Sequence, residues 1–352
     1  MKEQILSMYE QKQAISDLDL SGLDLSGVEL PRAVFERVVF TNGNLSGANL
    51  SEAVFIDCDL NKANLEEANL TAANLYSAKM TGCNLTKAVM NDANLQQADL
   101  TGTNLSEVKA NNLQASSANM TKVSLAGAKF ERADLTNANL TGVDFTGANV
   151  SMADLDHAQL EGAVLSSTNF HKTFLTNISL QNIHADKCDF NMAHFDGSNL
   201  SGAHFRECNF DQTGFPNTDV SGANFSGLSM YVAQFNQAKL NEAVFANAMM
   251  ESADLTDADL SSADFSGADI NQGRLNSAYC HATKFVKCNL EYADFSHADL
   301  TDADFSGSKL LRSNLHRVAD EGAVWTGSNK NKALSTDEEL AEAENWQPPT
   351  ND

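Results

Sequence analysis

Cysteine, histidine and aspartate are the residues here whose types and spacing could do chemistry. Six cysteines occur, Cys58, Cys83, Cys188, Cys208, Cys280 and Cys288. Cys188 and Cys208 lie 20 residues apart, as do His184 and His204, which invites a disulfide framework or a metal cluster. Asp254, Asp259, Asp264 and Asp269 recur every five residues, with Glu251 and Asp257 adding to them and Asp294, Asp299 and Asp304 further on. Such a run suits a basic partner, although aspartate is also an ordinary alternative to asparagine beside a turn.

The elements that position these residues follow from one frame. Every fifth residue from Ile15 to Leu315 is a core site, and 57 of the 61 sites are Leu, Phe, Met, Val or Ile, the exceptions being Ala110, Ala115, Ala185 and Cys280. With such a site called i, position i−2 is usually Ala and also faces inward, i−1 is mostly Asn or Asp, and i+1 and i+2 are small or polar. An α-helix at about 100° per residue would wind a five-residue pattern around its axis, and a flat strand has period two. A chain that turns once every five residues satisfies it.

Glycine locates the turn, since 17 of the 20 glycines fall at i+2, where a positive φ is expected. Pro31 and Pro216 fall at i+1, where a fixed φ suits the start of a turn. Phenylalanines give the coil length: Phe205, Phe225, Phe245, Phe265, Phe285 and Phe305 are spaced by 20, as are Phe195, Phe215 and Phe235. Like rings gain by stacking between rungs, so a coil is four pentapeptides, and the frame makes about 15 coils, some 70–75 Å at the spacing of stacked strands. Where i shrinks to Ala110, Ala115 or Ala185, i−2 grows to Val108, Leu113 or Ile183, which conserves core volume.

The frame answers the chemistry. All six cysteines fall on inward positions and read as small buried hydrophobes. The His184 and His204 pair is flanked in its column by Val164 and Asn224, which leaves a metal short of ligands. No nucleophile elbow, phosphate loop, zinc spacing or dinucleotide fingerprint is present, so no catalytic, cofactor or metal site is expected. A net charge of −24 argues against direct nucleic-acid binding and leaves open a partner with a basic groove. The first residues carry no apolar run for a signal peptide and no stretch approaches a membrane span, so a cytoplasmic protein is expected.

The tandem units, such as Ala48-Asn49-Leu50-Ser51-Glu52 and Ala133-Asp134-Leu135-Thr136-Asn137, resemble the pentapeptide-repeat family over nearly 90% of the chain. The resemblance implies an all-β right-handed quadrilateral parallel β-helix, a solenoid with short helical caps, generally bacterial and non-enzymatic.

A solenoid needs its ends covered. Residues 1–14 are expected to form an N-terminal cap with a short helix around Ile5, Leu6 and Tyr9, and 15–325 the solenoid. Residues 326–352 should hold a linker, an acidic helix starting near Ser335-Thr336-Asp337 and stopped by Pro348, and a disordered tail. That helix, with Leu340 and Trp346, is either a lid or a homodimer contact, which the family often places at its C-terminus. Outward i−1 positions turn apolar at Val34, Val39 and Val54, and again at Val244 and Met249, and these can mark a contact surface.

Two functions fit. One is a protein-interaction scaffold or adaptor, favoured by the unbroken frame and the lack of catalytic groups. The other is a DNA mimic that binds a topoisomerase, as the quinolone-resistance pentapeptide proteins bind gyrase, favoured by the acidic charge.

Overall fold

The structure, a computed structural model, describes residues 1–346. The repeat around Leu50 shows how the backbone is satisfied. The i−1 amide of Asn49 donates to the Val28 carbonyl, the i amide of Leu50 to the Asn69 carbonyl and the i+2 amide of Glu52 to the Thr71 carbonyl, all at 2.8 Å. The amide of Ala53 closes a tight turn on the Leu50 carbonyl at 3.0 Å. That leaves the i+1 amide of Ser51, which donates to Oδ1 of Asn49 at 3.3 Å. An orphaned amide costs about 1–3 kcal/mol, so where i−1 is Asn or Asp, as here, its side chain supplies the fifth acceptor of the pentapeptide.

The two prolines within the repeats fit the same account. Pro31 and Pro216 stand at i+1 where i−1 is Glu29 and Gly214. Neither residue is the short side chain that caps this amide elsewhere, and proline removes the donor. Where i−1 is Lys79 or Lys109, the i+1 residue 20 positions earlier takes over: Thr81 N–H donates to Asn61 Oδ1 at 2.8 Å and Asn111 N–H to Asn91 Oδ1 at 3.0 Å.

The i+2 residue is left-handed at every repeat from Asp17 to Gly327. Glycine marked this position in the sequence, but most of its occupants carry a side chain, as Lys62 does at φ 59° and Glu67 at φ 56°. A left-handed non-glycine residue costs about 1–2 kcal/mol. The bonds that each turn anchors to its neighbours offset that cost.

The chain divides into two compact units, Met1–Phe195 and Asp196–Asp352. The first holds α1 (Lys2–Glu10), β1 (Ile15–Ser16), β2 (Val34–Glu36), β3 (Val54–Ile56), β4 (Leu165–Ser166) and β5 (His184–Asp186). The second holds β6 (His204–Arg206), a 3-10 turn (Lys330–Lys332) and α2 (Glu338–Glu344). β1, β2 and β3 pair in parallel with Ile15 on Phe35 and Phe35 on Phe55, and β4 pairs with β5. Within each unit single parallel bridges join residues 20 apart, such as Asn44 to Asn64 and Asp259 to Tyr279. Four pentapeptides therefore separate stacked residues, as the phenylalanine spacing predicts.

From Val28 to Leu315 both i and i−2 are buried. In the first unit Phe35 stacks on Phe55 and Phe170 on Phe190, each at 4.9 Å. In the second, Phe225, Phe245 and Phe265 follow one another at 5.0 and 4.8 Å with nearly parallel rings. Polar residues at i−2 find one recurring acceptor, the carbonyl 23 residues earlier. Thr103 donates to Met80 at 2.7 Å, Thr173 to Val150 at 2.9 Å and Thr283 to Leu260 at 2.8 Å.

Helix α1 buries Ile5 completely, and its Tyr9 hydroxyl donates to the Pro31 carbonyl at 3.0 Å. No helix among the described residues is long and apolar enough to cross a membrane. The tail expected beyond Trp346, with Pro348 as its helix stop, lies outside the described residues.

Candidate functional site

All six cysteines are buried thiols. Cys83 points at the Leu60 carbonyl at 2.9 Å and Cys288 at the Phe265 carbonyl at 2.8 Å, the contact that threonine makes elsewhere. Burial pushes the Cys58 thiol up to about 11 and those of Cys83 and Cys288 up to about 12. A thiol so far from its thiolate is a poor nucleophile and a poor metal ligand. His184 is exposed on β5 and His204 is exposed on β6, in different units.

Asp254, Asp259, Asp264 and Asp269 each cap their own turn, accepting the amide of Thr256 at 3.1 Å, Ser261 at 3.0 Å, Ser266 at 2.9 Å and Asn271 at 3.2 Å. They stand in four different columns. Their bridged neighbours are Gln234 and Arg274, Lys239 and Tyr279, Val244 and Lys284, and Met249 and Asn289 respectively. Arg274 reaches Asp254 at 3.4 Å. Burial raises the pKa of Asp259, but hydrogen bonds from Ser261 and Asn241 outweigh it and hold the carboxyl below its ordinary range.

Val34 and Val54 are bridged neighbours in β2 and β3, each half-buried, and Val39 pairs with Asp19 and Asp59. Val34 also lines a cleft beside α1 together with Tyr9, Pro31 and Arg32.

At the other terminus the indole of Trp325 ends the phenylalanine column, and Lys330 Nζ lies 4.1 Å over it while pairing with Asp320 at 2.6 Å. Helix α2 is capped by Asp337, whose side chain accepts the Leu340 amide at 3.1 Å. It turns Ala341 inward, while Leu340 and Trp346 are exposed. Glu344 fastens it to the repeats by accepting from Arg317 at 2.9 Å and pairing with His297 at 3.2 Å and buried His316 at 3.3 Å.

His297, His316 and Glu344 place three potential metal-ligand atoms within 4.8 Å of one another. The hydrogen bonding argues for a tether. The Asp337 amide donates to His316 Nδ1 at 3.1 Å, so neutral His316 carries its proton on Nε2 and donates it to Glu344. A metal would need that nitrogen's lone pair, beside the Arg317 cation. Sequence reasoning missed this anchor, because Glu344 lies outside the repeat frame. It also missed exposed Val164, Phe174, Tyr231 and Val232, although the first two are apolar residues at outward i−1 positions.

The family model for pentapeptide repeats matches in 8 copies, at residues 19–55, 48–86, 68–107, 88–125, 118–155, 144–182, 233–272 and 278–317, and a second model, a pentapeptide repeat region, matches 169–245. No curated protein matches the chain. Among solved structures, the chain is similar to QnrB1, a plasmid-mediated fluoroquinolone resistance protein, at 15% identity over 66% of this chain and 100% of that one, TM-score 0.33. HetL, a pentapeptide repeat protein involved in heterocyst differentiation regulation from the cyanobacterium Nostoc sp. strain PCC 7120, is 19% identical over 95% of this chain and 97% of that one, TM-score 0.17. A pentapeptide repeat protein of the Arabidopsis thaliana thylakoid lumen is 26% identical over 36% of this chain and 75% of that one, TM-score 0.26. With its five-residue frame, its bridges at 20 residues and both family models in agreement, this chain belongs to the pentapeptide-repeat family.

Proposed function

We propose that this protein is a non-enzymatic, cytoplasmic scaffold or adaptor that holds a protein partner on a right-handed, four-sided solenoid of about 15 coils. The observation that carries the reading is that the groups able to do chemistry serve the fold: the thiols are buried, and the four clustered aspartates cap their own turns. What is left to act is the outward surface. Contact surfaces at Val34, Val39 and Val54, and at the four aspartates, belong to this proposal, as does a homodimer through Leu340 and Trp346. Cross-linking the full chain in its native host and identifying the products tests it. One recurring protein is the expected result, and the absence of any cross-linked protein overturns the reading.

The charge of −24 favours a second reading, a DNA mimic acting on gyrase. The columns of the four aspartates also hold Lys239, Arg274 and Lys284, which weakens a continuous acidic stripe. Gyrase supercoiling assayed with wild type and with all four aspartates changed to lysine decides the matter. The scaffold reading expects no inhibition by either protein. Inhibition by wild type that is salt-sensitive and lost in the lysine variant establishes the mimic instead.

A further inference from the structure

Val232 holds a conformation that its side chain resists. It is the i+2 residue of its repeat, at φ 58°, and among the described left-handed residues it alone is β-branched. A second carbon on Cβ makes that region especially unfavourable. Burial does not offset the cost, because Val232 is 47% exposed. The turn does not require a side chain either: at Gly222 and Gly227, the corresponding position of two preceding repeats, a Cβ would meet nothing within 4 Å. A residue that costs stability twice and packs on little is explained by what it presents outward.

Two more apolar groups lie beside it. Tyr231 and Met249 are both exposed, with the Tyr231 hydroxyl 3.6 Å from Met249 Sδ. The rim is acidic. Asp211 Oδ1 accepts the Tyr231 amide at 3.0 Å, the Val232 amide donates to the Glu251 carbonyl at 2.9 Å, and Asp269 is bridged to Met249. Residues 209–214, 229–234 and 249–254 contain no lysine or arginine, and the cation that reaches them, Arg274, is paired with Asp254 at 3.4 Å.

We propose that Tyr231, Val232 and Met249 form the docking face for a partner-protein segment that presents an apolar side chain flanked by lysine or arginine. The apolar triad seats the anchor, and the carboxylates of Asp211, Glu251 and Asp269 attract the flanking cations and repel nucleic acid or a second copy of this acidic chain. This deepens the scaffold reading and rests on it.

The test uses the full chain and labelled synthetic peptides with a central leucine or phenylalanine between lysines, read by fluorescence anisotropy. The expected result is salt-sensitive binding that weakens about tenfold or more when the anchor becomes serine, or when Val232→Gly is combined with Tyr231→Ser. Val232→Gly alone should raise the melting temperature while weakening binding, because glycine suits the turn. A purely structural valine would instead lower the melting temperature on truncation and leave binding unchanged. Failure of every basic apolar peptide to bind, binding indifferent to these variants, or self-association through this face overturns the proposal. Native-host cross-linking repeated with the double variant separates the two readings. Partners retained by the variant sink the docking face and leave the scaffold standing, whereas wild type without partners sinks the scaffold.

Discussion

The indole of Trp325 lies 4.3 Å from the ring of Phe305 with only 8° between their planes. A stack that has Phe245, Phe265 and Phe285 below it thus meets a larger ring at its end. Trp325→Ala should lower stability by about 2 kcal/mol, since the indole is half-buried. Hydrogen exchange should quicken in the repeats near Phe305 first. Uniform quickening through the second unit would mean that the stack does not end there.

Phe245 is fully buried between Phe225 and Phe265. Phe245→Ala should cost about 3–5 kcal/mol in chemical denaturation through the cavity it leaves. Asn69→Ala should cost about 1 kcal/mol, because Asn69 caps the Thr71 amide at 3.1 Å and donates to Asn49 at 3.3 Å. Equal losses would contradict the assignment of inside and outside.

The pairing of Pro31 with Glu29 predicts a coupled double mutant. Pro31→Ser restores an amide that Glu29 is poorly shaped to accept, and should cost about 1–2 kcal/mol. Glu29→Asn in the same chain should recover most of that loss, and its shorter carboxamide keeps an acceptor for Asn49, which donates to Glu29 at 2.7 Å. Additive effects in the cycle would remove the amide-capping account of the i−1 residue.

The capping aspartates set the acid limit. Hydrogen bonds from Ser21, Ser26 and Thr301 hold Asp19, Asp24 and Asp299 below their ordinary range. A folded value below the unfolded one, near 3.9, contributes stability that is present above about pH 4 and is lost as pH falls through the folded values. Denaturation midpoints should therefore be flat at neutral pH and fall steeply below about pH 4. Asp154 runs the other way, because burial raises it, so Asp154→Asn should not destabilise at neutral pH. A midpoint that rises on acidification would refute the sign of the first effect.

Much of this was legible because a strict period leaves few solutions. Ile15 to Leu315 gave the inward sites, and the phenylalanine spacing gave the 20-residue bridges. The purpose of the i−1 asparagines was not legible, since a turn-flanking preference does not reveal which amide needs an acceptor until the backbone bonds are traced. Glycine located the turn but understated it, as Lys62 and Glu67 adopt the same φ. The tether at Glu344 could not be read at all: it joins a helix outside the frame to His297, His316 and Arg317 through space, without any spacing rule.

The amide bookkeeping at Leu50 has an evolutionary corollary. Because each repeat's donors are promised to residues 19 and 21 positions away, length can change only in quanta. Excising residues 61–80 would set Asn84 on Asn44 and leave every later side chain in its own column. Excising 61–65 would keep the frame yet shift every later side chain by one column, redrawing the surface without touching the core. Loss of a single residue would do neither, and would turn core into surface from that point on. Whole-coil duplication is thus the silent route by which such a chain lengthens, and five-residue slippage the route by which it acquires a new face.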